Sequence, residues 1–163
     1  MSQEQEQSLL SSTADDDEMS ANSSNNANSG NCNHVSSFLR KIAAVMGASG
    51  VAMGAFGAHA LKETLTKKGT AAMWQTATIY QLFHAAAILS MAAAASSSSS
   101  TPKQKAIASN HLLAGKLMGS GNLLFSGSIY CLAVDVGPKM ILGPITPIGG
   151  LLMIGGWIVI GTV

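Results

Sequence analysis

The sequence is poor in charge. Nine Lys or Arg and eight Asp or Glu among 163 residues make about a tenth of the chain, where soluble domains carry roughly a quarter. That excludes an ordinary water-soluble surface. The bases lie in ones and twos between apolar runs, so no basic face for nucleic acid can form. Cysteine is scarce too: Cys32 and Cys131 give neither a metal-ligand spacing nor a set of pairs, and no metal site or disulfide framework is expected. There is no Gly-Lys-Ser/Thr phosphate loop and no Ser in a nucleophile setting. The long apolar runs hold no carboxylate, whereas a hydrolytic metal site wants three protein ligands and a base. These absences point away from an enzyme, and no cofactor is expected.

Six of the eight acids (Glu4, Glu6, Asp15, Asp16, Asp17 and Glu18) precede the first base, Arg40. Residues 1–34 are rich in Ser, Asn and acid and nearly devoid of apolar side chains, so they are read as a disordered tail. They match neither a basic transit peptide nor a secretory signal. Asn22-Ser23-Ser24 fits the glycosylation sequon, a pattern short enough to arise by chance in such a stretch.

Four runs long enough to cross a bilayer follow, since a span needs about 17 to 25 apolar residues. They lie at about 42–61, 74–95, 114–134 and 146–163, with a polar linker from Ser96 to Pro102 between the second and third. Neither 117–134 nor 148–163 contains a charged residue, so neither can show the polar face that a soluble helix needs. The expectation is an all-α integral membrane bundle of four transmembrane helices over residues 35–163, with both termini on one side. Lys and Arg divide five to four between the two sides, which only leans toward termini facing cytosol, matrix or stroma. Thr146-Pro147 predicts an N-cap and first-turn proline for the last helix.

The glycines are patterned. Gly47, Gly50, Gly54 and Gly57 recur at three- and four-residue steps and share one stripe of a helix. In water each would cost roughly 1 kcal/mol against Ala, but in lipid small residues let a neighbouring backbone come close. The third span repeats the spacing with Gly115, Gly119, Asn122 and Ser126, which makes the two seams natural partners. The last adds Gly149, Gly150, Gly155 and Gly156, with Trp157 read as an interfacial anchor. Such packing predicts a filled bundle without a wide aqueous pore.

Four motifs, Gly54-Ala55-Phe56-Gly57-Ala58-His59-Ala60-Leu61-Lys62, Trp74-Gln75-Thr76-Ala77 running to Tyr80-Gln81-Leu82-Phe83-His84-Ala85, Leu124-Phe125-Ser126-Gly127-Ser128-Ile129-Tyr130, and Ile145-Thr146-Pro147-Ile148-Gly149-Gly150, together resemble the transmembrane protein 256 family, domain of unknown function 423. The resemblance spans about residues 38–163; the acidic tail and the serine run lie outside its pattern. It implies a small four-span membrane protein, found in bacteria and eukaryotes; the eukaryotic relatives are often placed in mitochondria, which makes the mitochondrial inner membrane one candidate and leaves the membrane of this chain open. It implies no activity.

The polar residues within the spans are the candidates for function: His59, Tyr80, Gln81, His84 and Asn122. His59 lies near the end of its span and His84 about ten residues into the next, so the two are expected at different depths. The first reading gives them packing roles: His59 at the interface, and His84 bonded to Gln81, Tyr80 or Asn122. The second is a proton or solute path past Tyr80, Gln81, His84 and Asn122; the third is a metal or haem on the two imidazoles. His34 and His111 read as solvated, and Lys116 as snorkelling from the third helix. The function expected is structural or accessory, with a small transporter or channel as the alternative. Lipid, a membrane-protein partner or a second copy would be what the chain contacts.

Overall fold

The computed structural model describes residues 34–96 and 101–162. The tail expected over residues 1–34 lies outside that range apart from His34, as do the sequon, Cys32 and most of the serine linker. The chain forms α1 (His34–Ala58), α2 (Lys62–Lys68), α3 (Ala71–Ser96), α4 (Pro102–Val134) and α5 (Lys139–Gly161). No strand occurs among the described residues. Helices α1, α3, α4 and α5 are each long and apolar enough to cross a membrane. At 1.5 Å per residue the 26 residues of α3 extend about 39 Å, more than the roughly 30 Å of a bilayer's hydrocarbon.

Several helix ends differ from the sequence reading, and α4 begins at Pro102, about three turns before the start expected near 114. Helix α1 starts at His34 because Val35, Leu39 and Ala43, at four-residue spacing, form a buried stripe against Ile88 and Met91 of α3 and Met118 of α4. It stops at Ala58, where the Leu61 amide turns back to the Phe56 carbonyl at 2.8 Å, so His59 belongs to the turn into α2. Helix α5 begins at Lys139, with extended Pro138 as its N-cap, and holds both Pro144 and Pro147 in its interior. Thr146 is therefore not an N-cap. Its hydroxyl donates back to Leu142 O at 3.1 Å and meets Ser128 Oγ of α4 at 2.6 Å. A closely packed neighbouring helix, here α4, makes prolines tolerable within membrane helices.

Short α2 is exposed except for Leu65 and ends on Gly69, whose φ of 67° is the left-handed form that a helix C-terminus favours. It is clasped to the α4–α5 turn. Lys68 Nζ donates to Val134 O (2.8 Å) and to Asp135 Oδ2 (2.7 Å), Lys139 pairs with Asp135 Oδ1 at 2.6 Å, and Thr70 Oγ1 donates to Ala133 O at 2.8 Å. Asp135 itself takes a φ of 63°, which a short polar side chain tolerates better than most. Lys139 and then Lys68, both hydrogen-bonded to it, hold its carboxyl down at about 2.

The glycine stripes receive bulky side chains instead of one another. A Cβ built at Gly50 would stand 2.8 Å from Leu82 of α3, one at Gly54 3.3 Å from Thr78, and one at Gly57 would overlap the Trp74 indole; Gly47 faces open space. The α1 stripe thus docks α3, not the seam of α4. On α4, Gly115 takes Leu39 and Gly119 meets Ile42, both from α1. A knob in a glycine notch makes more van der Waals contact than two smooth stripes can, which is why the seams pair with ridges. Backbone meets backbone at α4–α5, through Gly149 and a glycine outside the seam, Gly121. A Cβ on Gly149 would lie 2.5 Å from Phe125 N and 2.6 Å from Gly121 O, and one on Gly121 2.7 Å from Gly149 O. Farther along, Gly156 fits under Met118, while Gly150 and Gly155 make ordinary contact with Phe125 and Leu117.

Candidate functional site

The candidate side chains cluster on α3, whose buried positions face three neighbours. At 100° per residue, Tyr80 and His84 lie on one flank, Ala77 and Ile88 in the centre, and Gln81 and Trp74 on the other flank. The first flank meets α5, the centre α4, and the last α1.

Toward α1, Gln81 Nε2 donates to Met46 O at 3.0 Å and to Ser49 Oγ at 2.7 Å. Its Oε1 accepts the Tyr130 hydroxyl of α4 at 3.0 Å, and that hydroxyl also lies 3.2 Å from Thr78 Oγ1. Two turns away, Trp74 Nε1 donates to Met53 O at 2.8 Å, its ring against Tyr130 at 4.6 Å. At the centre, Ser126 Oγ shares its proton between Ala77 O and Asn122 Oδ1, each at 3.0 Å. Asn122 and Ser126 are both 2% exposed.

Toward α5 sits His84, 4% exposed and thirteen residues into α3, about 20 Å along it. Its Nδ1 lies 2.8 Å from the Tyr80 carbonyl. A carbonyl only accepts, so Nδ1 carries the proton and Nε2 is the acceptor in the neutral ring. Nε2 receives the Trp157 indole N–H at 3.4 Å. Trp157 thus turns its indole N–H toward the middle of α3. Phe83, Tyr80 and Trp157 surround the imidazole with centroids 5.5, 6.0 and 6.2 Å away.

The structure therefore brings Tyr80, Gln81, His84, Asn122 and Ser126 onto one helix pair but divides them into three groups. His84 bonds neither Gln81 nor Asn122. His59 stands apart, exposed in the turn after α1, at the membrane edge where α3 begins, so the two imidazoles share no ligand. No group of three His, Cys, Asp or Glu able to hold a metal occurs among the described residues. His111 is not solvated as read: its Nδ1 is buried and takes no hydrogen bond among the described residues. Lys116 places its ammonium 6.0 Å from the Phe38 ring of α1. Sequence reasoning missed Ser49, Tyr130 and Gly121 as contact residues. Tyr130 could have been found, because Asn122, Ser126 and Tyr130 continue the seam at four-residue steps.

Four apolar spanning helices, tied to one another by interior hydrogen bonds, define a multi-pass integral membrane protein. Residues 53–150 match the family described as "Protein of unknown function (DUF423)", and the chain belongs to that family, the one to which its four motifs pointed. It is 39% identical over 101 residues to the UPF0382 inner membrane protein YgdD of Escherichia coli, covering 61% of this chain and 69% of that one. It is 38% identical over 84 residues to a UPF0382 membrane protein of Staphylococcus epidermidis, covering 52% and 61%. To a UPF0382 membrane protein of Schizosaccharomyces pombe it is 34% identical over 93 residues, covering 57% and 70%. No solved structure matches it.

Proposed function

We propose that the protein is a non-enzymatic accessory subunit of a membrane complex, a rigid four-helix body whose outer faces meet lipid and a partner. One observation supports this above the others: most polar side chains of the interior that make hydrogen bonds make one to a neighbouring helix. Gln81, Tyr130, Ser126, Trp74 and the Ser128–Thr146 pair each end on an adjacent helix. Groups that line a solute path have to face a common space, and these face three separate seams. Polar groups bonded across helices in this way rigidify a core. The outer faces, by contrast, leave Val51, Leu89, Leu123 and Leu151 exposed, as lipid- or protein-facing helix surfaces do.

Purification in mild detergent followed by native mass measurement tests the reading. A discrete complex carrying another polypeptide is expected. A partner-free species that collapses a pH gradient in liposomes, and loses that activity on His84→Leu while still folding, would overturn it in favour of transport.

A further inference from the structure

Helices α3 and α5 do not pack backbone to backbone. Between them lies a half-open cavity of about 380 Å³, lined chiefly by Tyr80, Phe83, His84, Phe125, Gly150 and Trp157. We propose that it binds the headgroup of a membrane quinone, a flat carbonyl-bearing ring on an apolar tail.

Three features specify that chemistry. The walls are rings: Tyr80 stands 4.9 Å from Phe125, and Phe83 5.9 Å from Trp157, surfaces against which a planar ring stacks. The polar groups that face the cavity are few and at most weakly engaged with one another. The Tyr80 hydroxyl makes no hydrogen bond among the described residues, although Tyr80 lies within a turn of the middle of α3, where no water replaces a missing partner. The Trp157 N–H reaches His84 Nε2 only at 3.4 Å, beyond the usual 2.7–3.2 Å range. The Tyr80 hydroxyl thus awaits an acceptor such as a quinone carbonyl, and a ring that displaces the long Trp157–His84 bond gains the indole N–H as a second donor and, when reduced, the Nε2 lone pair as an acceptor. Finally, the volume is at the lower end of the roughly 300 to 1,000 Å³ of ligand pockets, enough for one substituted ring and the start of a tail. The cavity is flanked by exposed Ile79 and Ile154, so a tail can leave it directly into lipid. A plain acyl chain would use none of these donors.

The chain carries two tryptophans, and of these Trp157 lines the cavity while Trp74 packs against α1 and Tyr130 on the opposite flank of α3. A benzoquinone bearing a decyl chain, titrated into the purified full chain in detergent micelles, should quench part of the tryptophan emission saturably. That component should vanish in Trp157→Phe. In Tyr80→Phe, which keeps the ring and loses the hydroxyl, the midpoint should rise about 3- to 10-fold. Quenching that never saturates, or is the same in wild type and Trp157→Phe, would overturn the proposal. So would a saturable component that Tyr80→Phe leaves unchanged and decanol displaces equally well, since that would make the cavity an acyl-chain site.

Discussion

Helix α5 meets its two neighbours in opposite ways. Against α4 it closes until a Cβ at Gly149 would stand 2.5 Å from the Phe125 amide; against α3 it stays back, and Trp157, Tyr80 and Phe83 bridge a cavity of about 380 Å³. The first interface is made by the absence of side chains and the second by the largest ones available. In lipid there is no hydrophobic drive to close a gap between helices, so contact forms where atoms fit and hydrogen bonds reach. Gly121 and Gly149 let the backbones fit. The α3 face opposite α5 carries rings, and rings hold the helices apart.

The comparison is broken most directly at the closed interface. Gly149→Leu should cost about 3 kcal/mol or more, at or beyond the usual upper range for overpacking, because the obstructing atoms are backbone and cannot rotate away. The measurement is SDS-driven unfolding in micelles. Gly47→Ala, at a position facing open space, is the control and should stay within about 0.5 kcal/mol of wild type. A Gly149 variant as stable as the Gly47 one would mean that α4 and α5 do not close as described. Next in size is Gln81→Leu, which removes two bonds to α1 and one from Tyr130. At about 0.6 to 1.7 kcal/mol for strong interhelical bonds in membranes, its loss should fall near 1 to 2 kcal/mol in the same assay.

The number of spans was legible because apolar length without charge has one physical use. That glycine stripes dock was legible too, but not what docks in them. Spacing tells which residues of a helix share a face, and nothing in it says which neighbour that face meets. So the stripe at Gly50, Gly54 and Gly57 could be read, while Leu82, Thr78 and Trp74 as its occupants could not. Thr146-Pro147 misled for a related reason: the cap rule is learned in water, whereas here the prolines lie within a helix that α4 packs against, with Ser128 of α4 bonded to Thr146. Gln81, His84 and Asn122 stood out as polar residues in apolar runs. Their separation into three groups depends on rotation about the α3 axis, which the order of residues fixes only once the neighbours are in place.

The open interface yields a smaller effect. Its one direct bond, Trp157 N–H to His84 Nε2, is long, so a double-mutant cycle of His84→Leu and Trp157→Phe should give a coupling of about 0.6 kcal/mol, the average for such pairs in membranes. A coupling near zero would leave the rings alone as the bridge between α3 and α5. A value well above 1.7 kcal/mol would contradict the picture of a loosely held flank.

The smallest effect lies outside the membrane, where Asp135 joins α2 to the turn from α4 to α5. Its carboxyl, held near 2 by Lys139 and Lys68, is depressed relative to the unfolded chain. The contribution is therefore fully present above the ordinary carboxylate range and fades as pH falls from about 4 toward 2. Asp135→Asn keeps a side chain that tolerates the left-handed backbone and removes the charge. Its melting temperature in micelles should sit slightly below wild type at pH 7, and the gap should close on acidification. Because the pair is exposed, added salt should narrow the gap as well. A gap that persists at pH 2 would assign the difference to hydrogen bonding by the carboxyl and not to its charge, and the clasp would then be polar without being an ion pair.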